Sequence, residues 1–79
     1  MLSYTIAEGI GSHAEGQATV ARGAGSHAEG RGSIANNAVS HAEGILTKAY
    51  GDASHAEGYN TRTNGSGSHA EGGNTEAVG

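Results

Sequence analysis

The sequence predicts an all-β protein, a parallel β-roll (solenoid) with 14-residue coils and two short strands in each coil. Three observations predict this fold. The pentapeptide SHAEG occurs five times at a constant spacing of 14 residues, and it contains every histidine of the chain. A second pentapeptide, close to Ser/Thr-x-Ala-x-Gly, lies between successive copies. The chain also has 15 glycines and no proline. A fixed period without insertions is the signature of a repeat architecture.

Each coil has two arms of seven residues, and each arm is a five-residue alternating segment followed by two linking residues. Alternation over five residues predicts a strand. The glycine that ends each segment is expected to supply the backbone freedom for a turn, and Asn37 is expected to replace it because Asn tolerates left-handed conformations. The second-arm segments are TIAEG (5–9), TVARG (19–23), SIANN (33–37), TKAYG (47–51), TRTNG (61–65) and TEAVG (75–79).

The interior of the roll is expected to hold only small side chains. Alternate residues of a strand point to opposite faces, so Ser/Thr and Ala share one face of each arm. The other face of the second arm mixes Arg, Lys, Glu, Asn, Val and Tyr at equivalent positions, which indicates a surface. The predicted interior residues are Ser12, Ala14, Thr19, Ala21, Ser26, Ala28, Ser33, Ala35, Ser40, Ala42, Thr47, Ala49, Ser54, Ala56, Thr61, Thr63, Ser68, Ala70, Thr75 and Ala77.

The same alternation places the His and Glu of SHAEG outside. These residues are identical in all five copies, whereas the outward residues of the second arm vary. A partner with matching periodicity explains this uniformity, and the simplest such partner is another copy of the chain. We expect His and Glu from neighbouring chains to form stacked, charge-assisted hydrogen bonds. The predicted contact residues are His13, Glu15, His27, Glu29, His41, Glu43, His55, Glu57, His69 and Glu71.

With its two five-residue strands, small interior residues and Ala-x-Gly endings, the 14-residue unit resembles the YadA-like head repeat of trimeric autotransporter adhesins. SHAEG also resembles repeats of related surface or phage-tail proteins. The resemblance implies a left-handed β-roll, a side-by-side homotrimer and a non-enzymatic adhesive or spacer role. The usual phrase of the family is closer to Ser-Val-Ala-Ile-Gly, so His and Glu here would make the trimer contact polar.

The resemblance also implies a location and a class of partner. We expect residues 1–79 to be one domain of nearly six coils, cut from a longer fibrous protein on a cell surface or in a virion tail fibre. An alternative function is a receptor- or glycan-binding module, with a host matrix protein or glycan bound through Arg22, Tyr50 and Arg62 on the variable arm. Tyr4 and Tyr59 could also contact a ligand or simply cover neighbouring residues. The apolar turn Ile45-Leu46 could pack against a neighbouring subunit or be exposed by chance.

Composition excludes several other classes. Four basic residues against eight acidic ones give a net charge of −4, without a basic patch for nucleic acid. No apolar run is long enough to suggest contact with a membrane. Catalysis is not expected, because Ser12 and His13 are adjacent on a strand and therefore point to opposite faces.

Metal binding is the remaining alternative for the His-x-Glu pairs, since both side chains are good ligands for zinc. We predict instead a His–Glu hydrogen-bond ladder without a metal or cofactor. Five identical sites at every coil are more than a binding site needs, and divalent ions at that spacing would repel one another.

Overall fold

The computed structural model describes residues 5–78, which form a parallel β-solenoid of two sheets. This confirms the predicted all-β fold with 14-residue coils and two strands per coil. The six-stranded sheet contains the second-arm strands β1 (Thr5–Ala7), β3 (Thr19–Ala21), β5 (Ile34–Ala35), β7 (Lys48–Ala49), β9 (Arg62–Thr63) and β11 (Glu76–Ala77). The five-stranded sheet contains the SHAEG strands β2 (His13–Gln17), β4 (His27–Arg31), β6 (His41–Ile45), β8 (His55–Tyr59) and β10 (His69–Gly73).

Successive coils stack in perfect register. Each strand residue pairs with the residue 14 positions along the chain, as in His13 with His27 and Ala14 with Ala28. Backbone hydrogen bonds join the coils, for example from the His27 nitrogen to the Ser40 oxygen at 2.9 Å. The described residues span 33 × 26 × 11 Å. The smallest dimension is close to the separation of about 10 Å between packed sheets, so the space between the sheets is narrow.

The glycine of each SHAEG lies inside its strand, so the prediction that it ends the segment and begins a turn is wrong. These glycines have φ values of 107–113°. A Cβ atom on Gly44 would lie 2.1 Å from the carbonyl oxygen of Gly58 in the next coil. Glycine is therefore required here by backbone conformation and by the close approach of neighbouring coils.

Each coil turns twice, and in both turns the second linking residue has a positive φ. Second-arm segments end in a β-turn closed by a bond such as that from the Ser26 nitrogen to the Gly23 oxygen, at 3.0 Å. Gly25, the third residue of this turn, has a φ of 69°, as a type II turn requires. Asn37 does not adopt the left-handed conformation predicted for it. In its turn that conformation belongs to Val39, with a φ of 56°.

The predicted interior residues of the central coils are buried between the sheets. Alanines 21, 28, 35, 42, 49 and 56 form the apolar cluster, with Ser or Thr hydroxyls beside them. Ser40 donates to the Asn37 carbonyl at 2.6 Å, and Ser33 donates to the Glu29 carbonyl at 2.7 Å. Toward the ends of the described stack Ser12, Ala14 and Ala77 are half-buried and Thr75 is exposed, because no described coil covers them from outside.

The outward side of the variable arm is not uniformly exposed. Val20 is only 8% exposed, which corrects the expectation that this whole face is solvent-exposed. The register places Ile6 and Ile34 on either side of Val20, so three apolar side chains stand in one column. Further along the same column Lys48 is half-buried and Arg62 is exposed.

Candidate functional site: the His–Glu face

The His and Glu side chains of the five SHAEG strands lie together on one outer face, called the His–Glu face below. Because the strands pair in register, the five imidazoles form one column. Their ring centroids are 4.5–4.7 Å apart. The rings from His27 to His69 are nearly parallel, with interplanar angles of 2–10°, whereas His13 is tilted by 25°.

Each imidazole bonds to the carboxylate of its own strand. The Nε2–Oε1 distances are 2.6–3.0 Å in all five coils. Residues two apart on a strand share a face, so the two long side chains meet without help from another chain. This intrachain bond was not predicted; the bonds between His and Glu of neighbouring chains stay a prediction. One ring nitrogen, Nδ1, and one carboxylate oxygen, Oε2, take no part in this bond.

The His–Glu face is partly open to solvent. In the three inner coils the His and Glu side chains are 34–36% exposed. The hydrogen bond from His27 holds the pKa of Glu29 below its ordinary value, and the positive charges of His27, His41 and His13 act in the same direction. Partial burial opposes this shift but does not overcome it. Glu29 is therefore stabilised as a carboxylate.

An acidic furrow runs along the stack next to the imidazole column. Its volume is about 580 Å³, and it is lined by the glutamates of the five strands and by SHAEG glycines. The glycines have no side chains, so one wall of the furrow is bare backbone. A row of carboxylates beside bare backbone favours cationic groups, or hydrogen-bond donors repeated at the spacing of the coils.

The His–Glu face can also supply metal ligands. Among residues 5–78, three groups have one ligand atom per residue within 4.8 Å of one another: His27–Glu29–His41, His41–Glu43–His55 and His55–Glu57–His69. The serines of the same motif are on the other side of the strand. Ser40, for example, is 1% exposed, and its hydroxyl donates to a backbone carbonyl. Ser and His of SHAEG therefore lie on opposite faces.

The candidate contacts on the variable arm do not converge on one site. The Arg22 Nε lies 3.5 Å from the Glu8 Oε1, so this guanidinium already has a partner. Tyr50 is half-buried and Arg62 is exposed. Tyr4 and Gly79, the last residue of the TEAVG segment, lie outside the described residues.

Two surface features were not predicted, namely that Tyr59 extends the apolar turn Ile45-Leu46 and that two turn amides pair. Ile45 and Tyr59 are register partners, 43% and 53% exposed, and the exposed Leu46 follows Ile45. Their spacing of 14 residues was a readable signal of this apolar patch. The second feature is a pair of turn amides, in which Asn60 Nδ2 donates to Asn74 Oδ1 at 2.7 Å. These two residues also stand 14 positions apart.

Comparison with protein-family models, with curated proteins and with solved structures finds no match to this chain. Residues 5–78 contain no helix of the length and apolarity needed to cross a membrane. The class that the fold defines is a parallel β-solenoid with 14-residue coils.

Proposed function

We propose that the chain is a structural segment of a fibrous surface protein, either a trimeric adhesin or a phage tail fibre. In this proposal the coils wind left-handed and three chains lie side by side, with the His–Glu faces in contact. The segment acts as a spacer or adhesive surface outside the cell or on a virion, without chemistry of its own. The resemblance to YadA-like head repeats supports this proposal.

The observation that carries the proposal is the uniformity of one face. All five coils present the same His–Glu pair in the same geometry, with Nε2–Oε1 distances of 2.6–3.0 Å. The opposite sheet repeats with the same period of 14 residues but presents a different pair of outward residues in every coil. Folding therefore does not require outward uniformity. A partner that repeats with the coils does require it.

A second copy related by an axis parallel to the stack meets this requirement. Such an axis places equivalent coils at the same level, so each His–Glu pair meets the same pair of the next chain. The intrachain bond uses one atom of each side chain. The remaining Nδ1 and Oε2 atoms are a donor or acceptor and an acceptor for a bond between chains. About a third of each inner side chain is exposed in the single chain, so the polar atoms are accessible to a partner.

Sedimentation equilibrium at pH 7.5 tests the proposal. The wild-type chain should have about three times its monomer mass of 7.8 kDa. Glu43→Arg should lower the mass, because it places a cation beside the middle of the imidazole column and removes a carboxylate from the proposed contact. Asn64→Arg is the matched control, since it adds the same side chain at an exposed position of the variable arm. A folded wild-type chain that stays monomeric at millimolar concentration would refute the assembly.

A receptor- or glycan-binding module is the second candidate, and one surface feature supports it. Asn60, Arg62, Asn74 and Glu76, with Thr75 of the uncovered last coil, line a polar depression of about 220 Å³ at the end of the described stack. Amide, guanidinium and hydroxyl groups are suited to sugar hydroxyls. Binding to arrayed glycans and matrix proteins should then fall in Arg62→Ala. Arg22→Ala and Tyr50→Ala extend the scan along the arm, and unchanged binding in all three variants would favour a spacer.

A further inference from the structure

We propose that the His–Glu face binds zinc or a similar divalent metal ion, such as nickel or copper. Residues 5–78 of one chain would bind two such ions. The ligands of each ion are two imidazoles from adjacent coils and the carboxylate on the strand of the first of them. All three come from one chain, so this inference does not depend on the proposed trimer. It concerns the same surface and assigns it a ligand.

The geometry brings a suitable donor set together three times. In each group the ligand atoms lie within 4.8 Å of one another. Zinc bonds to His nitrogen and carboxylate oxygen are about 2.0–2.2 Å long, so tetrahedral ligands lie roughly 3.4 Å apart. Side-chain rotations that move each ligand atom by about 1 Å suffice to reach this spacing. The inner side chains are 34–36% exposed, which gives an ion access to them.

Overlap between the groups fixes the number of ions. His41 belongs to the first and second groups, and His55 belongs to the second and third. One imidazole nitrogen cannot ligate two ions at once, so only the first and third groups can be filled together. Their centres are two coils apart, about 9 Å at the spacing of adjacent strands. This alternate filling removes the objection that ions at every coil would repel one another.

The donor chemistry selects the class of ion. Two imidazoles and one carboxylate suit zinc, nickel or copper, and they leave a coordination position for water. Calcium and magnesium prefer oxygen ligands only and gain little from imidazole. The His13–Glu15 pair is not part of any of the three groups, and the His13 ring is tilted by 25° from the next ring. This coil therefore provides an internal control.

Isothermal titration of the untagged, metal-free protein with zinc chloride at pH 7.5 tests the inference. The wild-type chain should bind two ions, and calcium chloride at the same concentration should give no binding. The matched control His13→Asn should still bind two. His41→Asn leaves only the His55–Glu57–His69 group and should bind one. The double variant His41→Asn/His55→Asn should bind none.

Several results would overturn the inference. They are a wild-type stoichiometry other than two, calcium binding equal to zinc, a loss in His13→Asn, or no loss in His41→Asn. A variant that loses its β-sheet circular dichroism is unfolded and gives no information on binding. The wild-type stoichiometry and the comparison with calcium then test the inference without it. Sedimentation without metal separates this inference from the proposed function. A metal-free trimer that binds no zinc refutes only the metal site, and a monomer that binds two ions refutes only the assembly.

Discussion

Replacing Gly44 by alanine should separate two neighbouring coils. Gly44 has a φ of 113°, and a new Cβ would lie 2.1 Å from the Gly58 carbonyl oxygen. The backbone conformation alone costs a residue with a side chain about 1–3 kcal/mol. The clash is with backbone, so the coils must move apart and weaken hydrogen bonds worth about 1 kcal/mol each. With two such bonds lost, the free energy of unfolding should fall by about 4 kcal/mol.

Gly67→Ala is the matched control for this prediction. Gly67 also has a positive φ, 69°, but a Cβ there meets nothing within 4 Å. Ala53 occupies the same position of the preceding coil with a φ of 57°, so the fold already accommodates alanine there. This change should cost about 1 kcal/mol. Urea unfolding at one fixed protein concentration measures both values. Equal losses for the two variants would show that the close approach of the coils does not determine the requirement for glycine.

Three further predictions concern strain, an unpaired hydroxyl and protonation. Val39→Gly should stabilise the protein by about 1 kcal/mol, because a β-branched residue there has a φ of 56°. Thr47→Val should stabilise it by about 1 kcal/mol, because the buried Thr47 hydroxyl has no hydrogen-bond partner. Both are measured as shifts of the urea midpoint. Glu29 has a lowered pKa in the folded chain, so its contribution is present above its unfolded pKa and is lost as pH falls through the folded value. The stability difference between wild type and Glu29→Gln should therefore be largest near neutral pH and shrink in acid.

Each of these three predictions has a contrary outcome. A destabilised Val39→Gly would mean that side-chain contacts of the valine outweigh backbone strain. Ser40→Ala is the control for the hydroxyl argument, because Ser40 donates at 2.6 Å and its loss should destabilise. If Thr47→Val behaves like Ser40→Ala, the unpaired hydroxyl is not a cost. A Glu29→Gln difference that does not change with pH would show that the His27–Glu29 bond does not depend on the carboxylate charge.

Much of the fold could be predicted because it follows from spacing and alternation. The 14-residue period gives the register of both sheets. Small residues at alternate positions identify the side of each strand that faces the narrow interior. Backbone detail could not be predicted in the same way. The sequence shows Gly44 but not the distance to Gly58, so a glycine needed for close approach resembles one needed for a turn. The turn at residues 37–39 is another case. Asn37 tolerates a left-handed conformation better than Val39, but Val39 is the residue that adopts it.

For the His–Glu face, the sequence predicted the face but not the partner of each imidazole. Only bonds to a neighbouring chain were predicted for His41, and the 2.7 Å bond to Glu43 on its own strand was missed. The length of the two side chains explains why the intrachain bond forms. Alternation already put both side chains on one face, and their length then allows them to meet. The burial of Val20 has a similar origin, because its exposure depends on Ile6 and Ile34 above and below it rather than on its own strand.

Comparison of the two arms of each coil distinguishes residues that the fold requires from residues that the fold does not explain. Both arms bury small residues and both end in a residue with a positive φ, although only the SHAEG arm also has a positive-φ glycine inside its strand. Only the SHAEG arm keeps its outward residues constant. The intrachain His–Glu bond is partly exposed, and such a bond contributes little to stability. A weak contribution cannot by itself account for ten side chains in one arrangement. Contact with a partner that repeats with the coils needs the same atoms in every coil and would supply the missing requirement, whereas coordination of two ions would use only six of these side chains.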